Sequence, residues 1–177
     1  MRLFITLLLT CFMSAAWGFS EREIKCMTDN VYHEARGESY RGQLAVMNVP
    51  LTRTRYSAYP TDVCKVIYQP YQFEWTRKRK PVRERELYEQ IEQRTRNWSR
   101  LYKQGMLPDP SNGALNFTSK GVRIRGTRVT HTIGGHTFAN PVKMRGSWRD
   151  KPSSKIQKVK YRGNDDPIGD LIKRKKI

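Results

Sequence analysis

The stretch VYHEARGE, Val31 to Glu38, does most to limit what this chain can fold into. It closes an amphipathic helix. Ser20-Glu21-Arg22-Glu23 carries the serine and, three residues on, the glutamate of a capping box, so a helix is expected to begin there. Ile24, Met27, Val31 and Ala35 then recur every three or four residues as one apolar stripe. Glu34 falls on or beside that stripe, and Gly37 is placed to end the helix just after it. A carboxylate on an apolar face is disfavoured as an anion, so its pKa rises and it can hold a proton to near neutral pH. The alternative is a solvated glutamate paired with Arg36 or Arg41, which is the commoner fate of this residue type near a helix end.

Downstream, a second helix from about Tyr40 turns Leu44, Met47 and Leu51 inward, with Pro50 expected to kink or shorten it. Thr61 can cap a short helix over TDVCKVIY, and Leu87, Ile91, Trp98 and Leu101 form one face of a long helix from Glu84 to Lys103, ended by Gly105. After the loop MLPDPSNG the character changes. ALNF, VRIR and RVTHTI are short β-rich segments separated by glycine-containing turns. The pattern predicts an α+β domain of about four helices and a small late sheet, with no internal repeat.

Composition bears on where such a domain works. Met1-Arg2, the apolar run LFITLLLTCFMSAAW and Gly18 have the layout of a secretory signal, too short to span a bilayer comfortably; a retained anchor is the alternative. The predicted organisation is a signal over 1–18, a catalytic domain over 19–147 and a basic, flexible tail over 148–177. Cys11 lies in the expected signal, which leaves Cys26 and Cys64 as an even pair in a chain headed for an oxidising compartment, and a Cys26–Cys64 disulfide is expected, with two buried thiols as the alternative. The formal charge of +18, concentrated in RKRKPVRERE and the last thirty residues, calls for an acidic partner.

The residues CMTDNVYHEARGESYRGQLAVMNVPLTR and YPTDVCKVIYQPYQFEW closely resemble the SleB-type cell-wall hydrolase family, the spore-cortex-lytic enzymes and their relatives. The shared pattern is E-A-R-G-E at Glu34 to Glu38, G-Q-x-A-V at Gly42 to Val46, the segment Asp62 to Tyr68, and Gln72-Phe73; GALNFTS and TIGGHTFAN resemble its later glycine-histidine-aromatic element around Gly135, His136 and Phe138. Leu51-Thr52-Arg53 departs from the family's L-N-R, and Thr76 to Pro110 has no matched motif. The resemblance implies a lysozyme-like, mainly helical catalytic domain with a small antiparallel β element, acting on peptidoglycan as a lytic transglycosylase without a cofactor. Carried over, the essential acid is Glu34. Glu38, Asp62 and Glu74 are the carboxylates available if water were the nucleophile, which needs a second acid. Glu38 is otherwise expected to cap the next helix or hold the turn. Glu38, Tyr71, Trp75 and His136 are the expected substrate contacts, with Phe73 in the core.

Two rival readings stand beside this one. A zinc amidase (an N-acetylmuramoyl-L-alanine amidase) would need three ligands and an open position, whereas His33, His131 and His136 have no HExxH spacing. A non-enzymatic basic protein would bind anionic envelope polymers through charge, but the chain has no nucleic-acid module that would select a specific nucleic acid. The expected setting is the periplasm, wall or exterior, and the expected state a monomer.

Overall fold

The computed structural model describes residues 18–149. The expected signal and the tail from residue 150 onward lie outside the described residues. The chain order is α1 Glu21–Ala35, α2 Tyr40–Thr54, α3 Val63–Ile67, α4 Glu74–Lys78, α5 Arg85–Lys103, β1 Asn116–Ser119, β2 Thr127–Ile133 and β3 His136–Pro141.

The capping box at α1 is formed. The Ser20 hydroxyl accepts from the Glu23 backbone N–H at 3.3 Å while Glu23 Oε2 accepts from the Ser20 backbone N–H at 2.9 Å. The stripe Ile24, Met27, Val31, Ala35 is the buried face; its first three residues pack with Ile91 and Trp98 of α5, and Ala35 joins the cluster formed by α2 and the sheet. Full burial of such side chains contributes about 1.5 to 3 kcal/mol each, which is why a stripe at this spacing is committed to helix. A disulfide joins Cys26 of α1 to Cys64 of α3, with Cα atoms 5.5 Å apart. It ties the helix that carries Glu34 to the short helix after the Tyr59-Pro60 turn.

The central element is α2. Its residues are buried without interruption from Gly42 to Arg53, and it touches α1, α3, β1 and β2. Leu44, Met47 and Leu51 therefore form only part of its buried surface, and the helix lacks a one-sided stripe. Of the two effects expected of Pro50, a kink or a shortening, the shortening does not occur, since the helix runs on to Thr54. Proline removes one backbone bond at a cost of roughly 3 kcal/mol, and packing on every side of the helix outweighs that. The next helix is capped by Asp62, whose Oδ1 accepts from the Lys65 backbone N–H at 3.0 Å, and not by Thr61. Two five-residue helices, α3 and α4, precede the long α5; the second was not anticipated.

The sheet is antiparallel, in the order β1-β3-β2. VRIR is not a strand. It is bracketed by Gly121 at φ +85° and Gly126 at φ +74°, which turn the chain out, and the place between β1 and β2 is taken by the HTFANP segment. Phe138 and Ile133 of the sheet join Ala45, Val46 and Val49 of α2 in a second apolar cluster, distinct from the one formed by the helices. Trp148 and Arg149, assigned to the tail from sequence, pack on the loop after α2. Trp148 sits edge-on to Tyr56, and the Arg149 guanidinium donates to the carbonyls of Thr54, Tyr56, Ser57 and Tyr59.

Candidate active site

The last turn of α1 presents Glu34 half-buried, and no hydrogen bond or ion pair among the described residues holds its carboxyl. Burial pushes its pKa up; the Lys80 ammonium works against this, and the Glu74 carboxylate adds to it. Those two charges come from α4 and the residues after it. Arg79, at φ +45°, ends α4 in the left-handed region and turns Lys80 back, so that its ammonium lies 3.8 Å from Glu74. A carboxyl group raised by burial keeps its proton to higher pH than an exposed one, which is what a proton donor needs, and the nearby cation partly opposes this.

Glu38 has a different surrounding. It does not cap α2, which is capped by Ser39 through the Gly42 backbone N–H. Its carboxylate instead crosses to the β2–β3 hairpin and accepts from the Gly135 backbone N–H at 3.1 and 3.2 Å. Three glycines shape the cradle. A Cβ at Gly134, itself at φ +54°, would lie 1.8 Å from Glu38 Oε2, one at Gly135 2.7 Å from Oε1, and one at Gly42 2.9 Å from the Glu38 Cβ. His136 Nδ1 lies 3.7 Å from the same carboxylate and has no hydrogen-bond partner among the described residues. Burial lowers the His136 pKa, and Glu38 pulls it the other way. The ring stands edge-on to Phe117 at 5.2 Å. Glu38 and His136 are thus brought together, as a tether between the turn after α1 and the hairpin.

The expected glycan platforms separate. Tyr71, at φ +63°, is 94% exposed and offers both faces of its ring. Trp75 is only 6% exposed: its ring stacks on His33 at 4.8 Å and meets Tyr68 edge-on at 5.6 Å. It has no free face for a sugar, so its assignment as a substrate contact is corrected. Position in an aromatic-rich loop does not distinguish a ring that faces solvent from one that closes the floor of a site. Phe73 is in the core.

The other carboxylates weighed are engaged. Asp62 caps α3 and pairs with Arg22, and Glu74 pairs with Lys78 and Lys80. The three histidines have separate neighbours: His33 on Trp75, His136 beside Glu38, and His131 at 3.1 Å from the Arg41 guanidinium. Among the described residues no three His, Cys, Asp or Glu side chains are grouped to hold a metal ion.

One residue that organises the site received no role from the sequence. Arg53, buried at the end of α2, donates to the Leu115 carbonyl and to Gln72 Oε1, each at 2.6 Å, and to Asn116 Oδ1 at 3.2 Å. It joins α2, the segment leading into α4, and β1. The signal was present: an arginine in the last turn of an otherwise apolar helix, and a glutamine directly before Phe73 in the quoted motif.

The profile of the Cell Wall Hydrolase family matches residues 37–139, more than half of the chain. Its span starts just after Glu34 and includes Glu38 and the hairpin it holds. Among curated proteins, the spore cortex-lytic enzyme of Oceanobacillus iheyensis is 45% identical over 56 residues, 32% of this chain and 20% of that protein. That of Bacillus subtilis is 43% identical over 56 residues, 32% of this chain and 18% of that protein. The matched stretch thus spans about a fifth of those relatives. Among solved structures, the catalytic domain of the Bacillus cereus SleB protein superposes with a TM-score of 0.53 at 26% identity, over 70% of this chain and 93% of that one. The catalytic domain of the germination-specific lytic transglycosylase SleB from Bacillus anthracis gives 0.54 at 27% identity, over 70% and 98%. The mainly helical domain with its three-stranded sheet is the lysozyme-like fold of these catalytic domains. With its fold and the greater part of its sequence in agreement, the chain belongs to the Cell Wall Hydrolase family.

Proposed function

We infer that this protein cleaves the glycan backbone of peptidoglycan between muramic acid and glucosamine, as a lytic transglycosylase that uses Glu34 as its one catalytic carboxyl group. The observation that carries the reading is Glu34 itself: half-buried, untied, and raised in pKa by burial, in a chain with the fold of a domain named a lytic transglycosylase. The protonated carboxyl donates to the bridging oxygen as the bond to the anomeric carbon breaks and positive charge develops there. The muramic C6 hydroxyl then bonds to that carbon and passes its proton to the Glu34 carboxylate. A 1,6-anhydro ring closes and the acid is restored, with no water consumed. The engagement of Glu38, Asp62 and Glu74 elsewhere supports a route that needs no second carboxylate.

The exposed ring of Tyr71 is the group we assign to stacking on a sugar face, and Glu38 with His136 to holding the hairpin beside the site. Such a substrate places the protein in the wall or outside the cell. Among the described residues no helix is long and apolar enough to cross a membrane. Mass spectrometry of the soluble fragments released from purified sacculi tests the chemistry: anhydromuramic ends are expected. Reducing muramic ends would replace the transglycosylase route with hydrolysis, and release of intact stem peptides from uncut glycan would replace it with an amidase.

A further inference from the structure

His33, the residue before Glu34 in α1, lines an open cleft of about 310 Å³ together with Tyr32, Arg36, Lys80, Pro81 and Arg83. Three of these six carry a positive charge and none carries a negative one. The walls are fixed by Tyr32, whose hydroxyl accepts from the backbone N–H groups of Arg83 at 3.1 Å and Glu84 at 3.0 Å while donating to Glu84 Oε2 at 2.8 Å. The Arg36 Nε meets the same Glu84 carboxylate at 2.9 Å, and its guanidinium lies 5.2 Å from the Tyr32 ring centre. This knot latches the basic segment after α4 onto the last turn of α1. It leaves Arg83 with its backbone engaged and its guanidinium without an ion pair among the described residues. Lys80 holds Glu74 only at 3.8 Å.

We propose that this cleft is a subsite for a carboxylate on the stem peptide of the wall glycan, bound by Arg83 and Lys80 while the sugar chain lies against Glu34. The proposal rests on the glycosidase reading above and adds a substrate preference to it. Placement supports it, because His33 and Lys80 belong to both sites: His33 precedes Glu34 in α1, and Lys80 acts on the Glu34 carboxyl. Size supports it too, since a cleft at the lower end of the range for small-molecule pockets is larger than one carboxylate and suits a short acidic peptide. The opposing charges are the Glu84 carboxylate, which pairs with Arg36, the Glu74 carboxylate 3.8 Å from Lys80, and the carbonyl end of the α1 dipole, about half a negative charge. Arg83 is the cation left without an ion pair among the described residues, which is why the recognition falls chiefly on it. A guanidinium also pairs with a carboxylate through two parallel hydrogen bonds, a geometry the compact ammonium of lysine lacks.

Carboxylates on this polymer come from two sources, the stem peptide and the lactyl group exposed when the peptide is removed. The test compares wild type with Arg83→Gln, which keeps the backbone contact to Tyr32, on glycan strands bearing stem peptides and on the same strands stripped by an amidase. Arg83→Gln is expected to lower kcat/KM about tenfold on peptide-bearing strands, mostly through KM, with little change on stripped strands. Arg83→Lys should recover part of the loss. Equal losses on both substrates, or a loss on neither, overturn the proposal. A second measurement keeps it separate from the cleavage reaction: Glu34→Gln protein is titrated with a soluble disaccharide peptide and with the same compound with its carboxylates amidated. Tighter binding of the free acid, lost on adding Arg83→Gln, is expected even if wild type cleaves neither strand. Equal binding of the two compounds sinks the subsite and leaves the glycosidase reading standing.

Discussion

Glu34 and Glu38 stand four residues apart on either side of Gly37, and the fold gives them opposite surroundings. Glu34 ends a helix clamped by a disulfide to α3 and packed on α5; its carboxyl is half-buried and has no bonded partner among the described residues. Glu38 lies in the following turn, and its carboxylate is held by the Gly135 backbone N–H in a cradle of three glycines. One carboxyl group is supported by everything around it except at its own oxygens. The other is used up as a fastener between the helical cluster and the sheet. The lesson is that a proton donor needs desolvation without a strong partner, while an anchor needs a strong partner whatever its exposure.

The sharpest way to break this comparison is to neutralise each residue in turn. Glu34→Gln keeps the shape but has no carboxylic proton, so cleavage of sacculi is expected to fall about 10²- to 10⁴-fold, equivalent to about 3 to 5 kcal/mol, with the fold intact. Glu38→Gln should retain most activity, because an amide oxygen still accepts from Gly135. Near wild-type turnover by Glu34→Gln would remove the central residue of the proposed function, and equal losses in the two variants would erase the distinction between them.

The disulfide tests the support on the Glu34 side. Replacing both cysteines by serine releases a cross-link spanning 38 residues, and chain-entropy reasoning puts the loss on the order of 3 to 4 kcal/mol. Chemical denaturation of the variant measures it. A midpoint unchanged from wild type would mean that core packing alone fixes α1 against α3.

On the Glu38 side the informative change is Gly134→Ala. It strains a left-handed backbone position and drives a methyl into the carboxylate, so about 1 to 3 kcal/mol of stability should be lost. Hydrogen exchange is expected to localise the loosening to the hairpin and to leave α1 protected. Uniform loss of protection would show that the two clusters unfold as one unit.

The smallest effect is a pH dependence. Folding raises the Glu34 pKa, so the native state binds this proton more tightly than the unfolded chain. The resulting stability is fully present below the unfolded pKa, about 4.3, and is lost as pH rises through the folded value. Glu34→Gln escapes this loss. Its melting temperature relative to wild type should therefore rise from acid to neutral pH, and a difference constant with pH would contradict a buried, raised carboxyl.

Much of this was legible in the residues because it depends on near neighbours in the chain. The capping box, the α1 stripe, the long amphipathic α5 and its end at Gly105 are statements about spacings of three and four, and the structure reproduces them. The Cys26–Cys64 bridge is the one expected from the two cysteines left outside the expected signal. The errors share one cause. Pro50 is tolerated because α2 is enclosed on every side, VRIR is excluded because HTFANP occupies the middle of the sheet, and Trp75 is buried because His33 stacks on it. Each outcome was decided by a partner distant in sequence.

The sequence by itself determined a helix with a glutamate on its apolar side, a cross-link to secure it, and the resemblance that points to wall glycan. The tertiary structure alone decided that Glu38 reaches a backbone amide 97 residues away, that Arg53 ties three segments together, and that Lys80, after α4, folds back to act on the Glu34 carboxyl. The physical reason lies in range. Periodicity and capping are written within a few residues of one another, whereas the field and hydrogen bonds at a carboxyl group are set by whichever groups the packed chain brings to it.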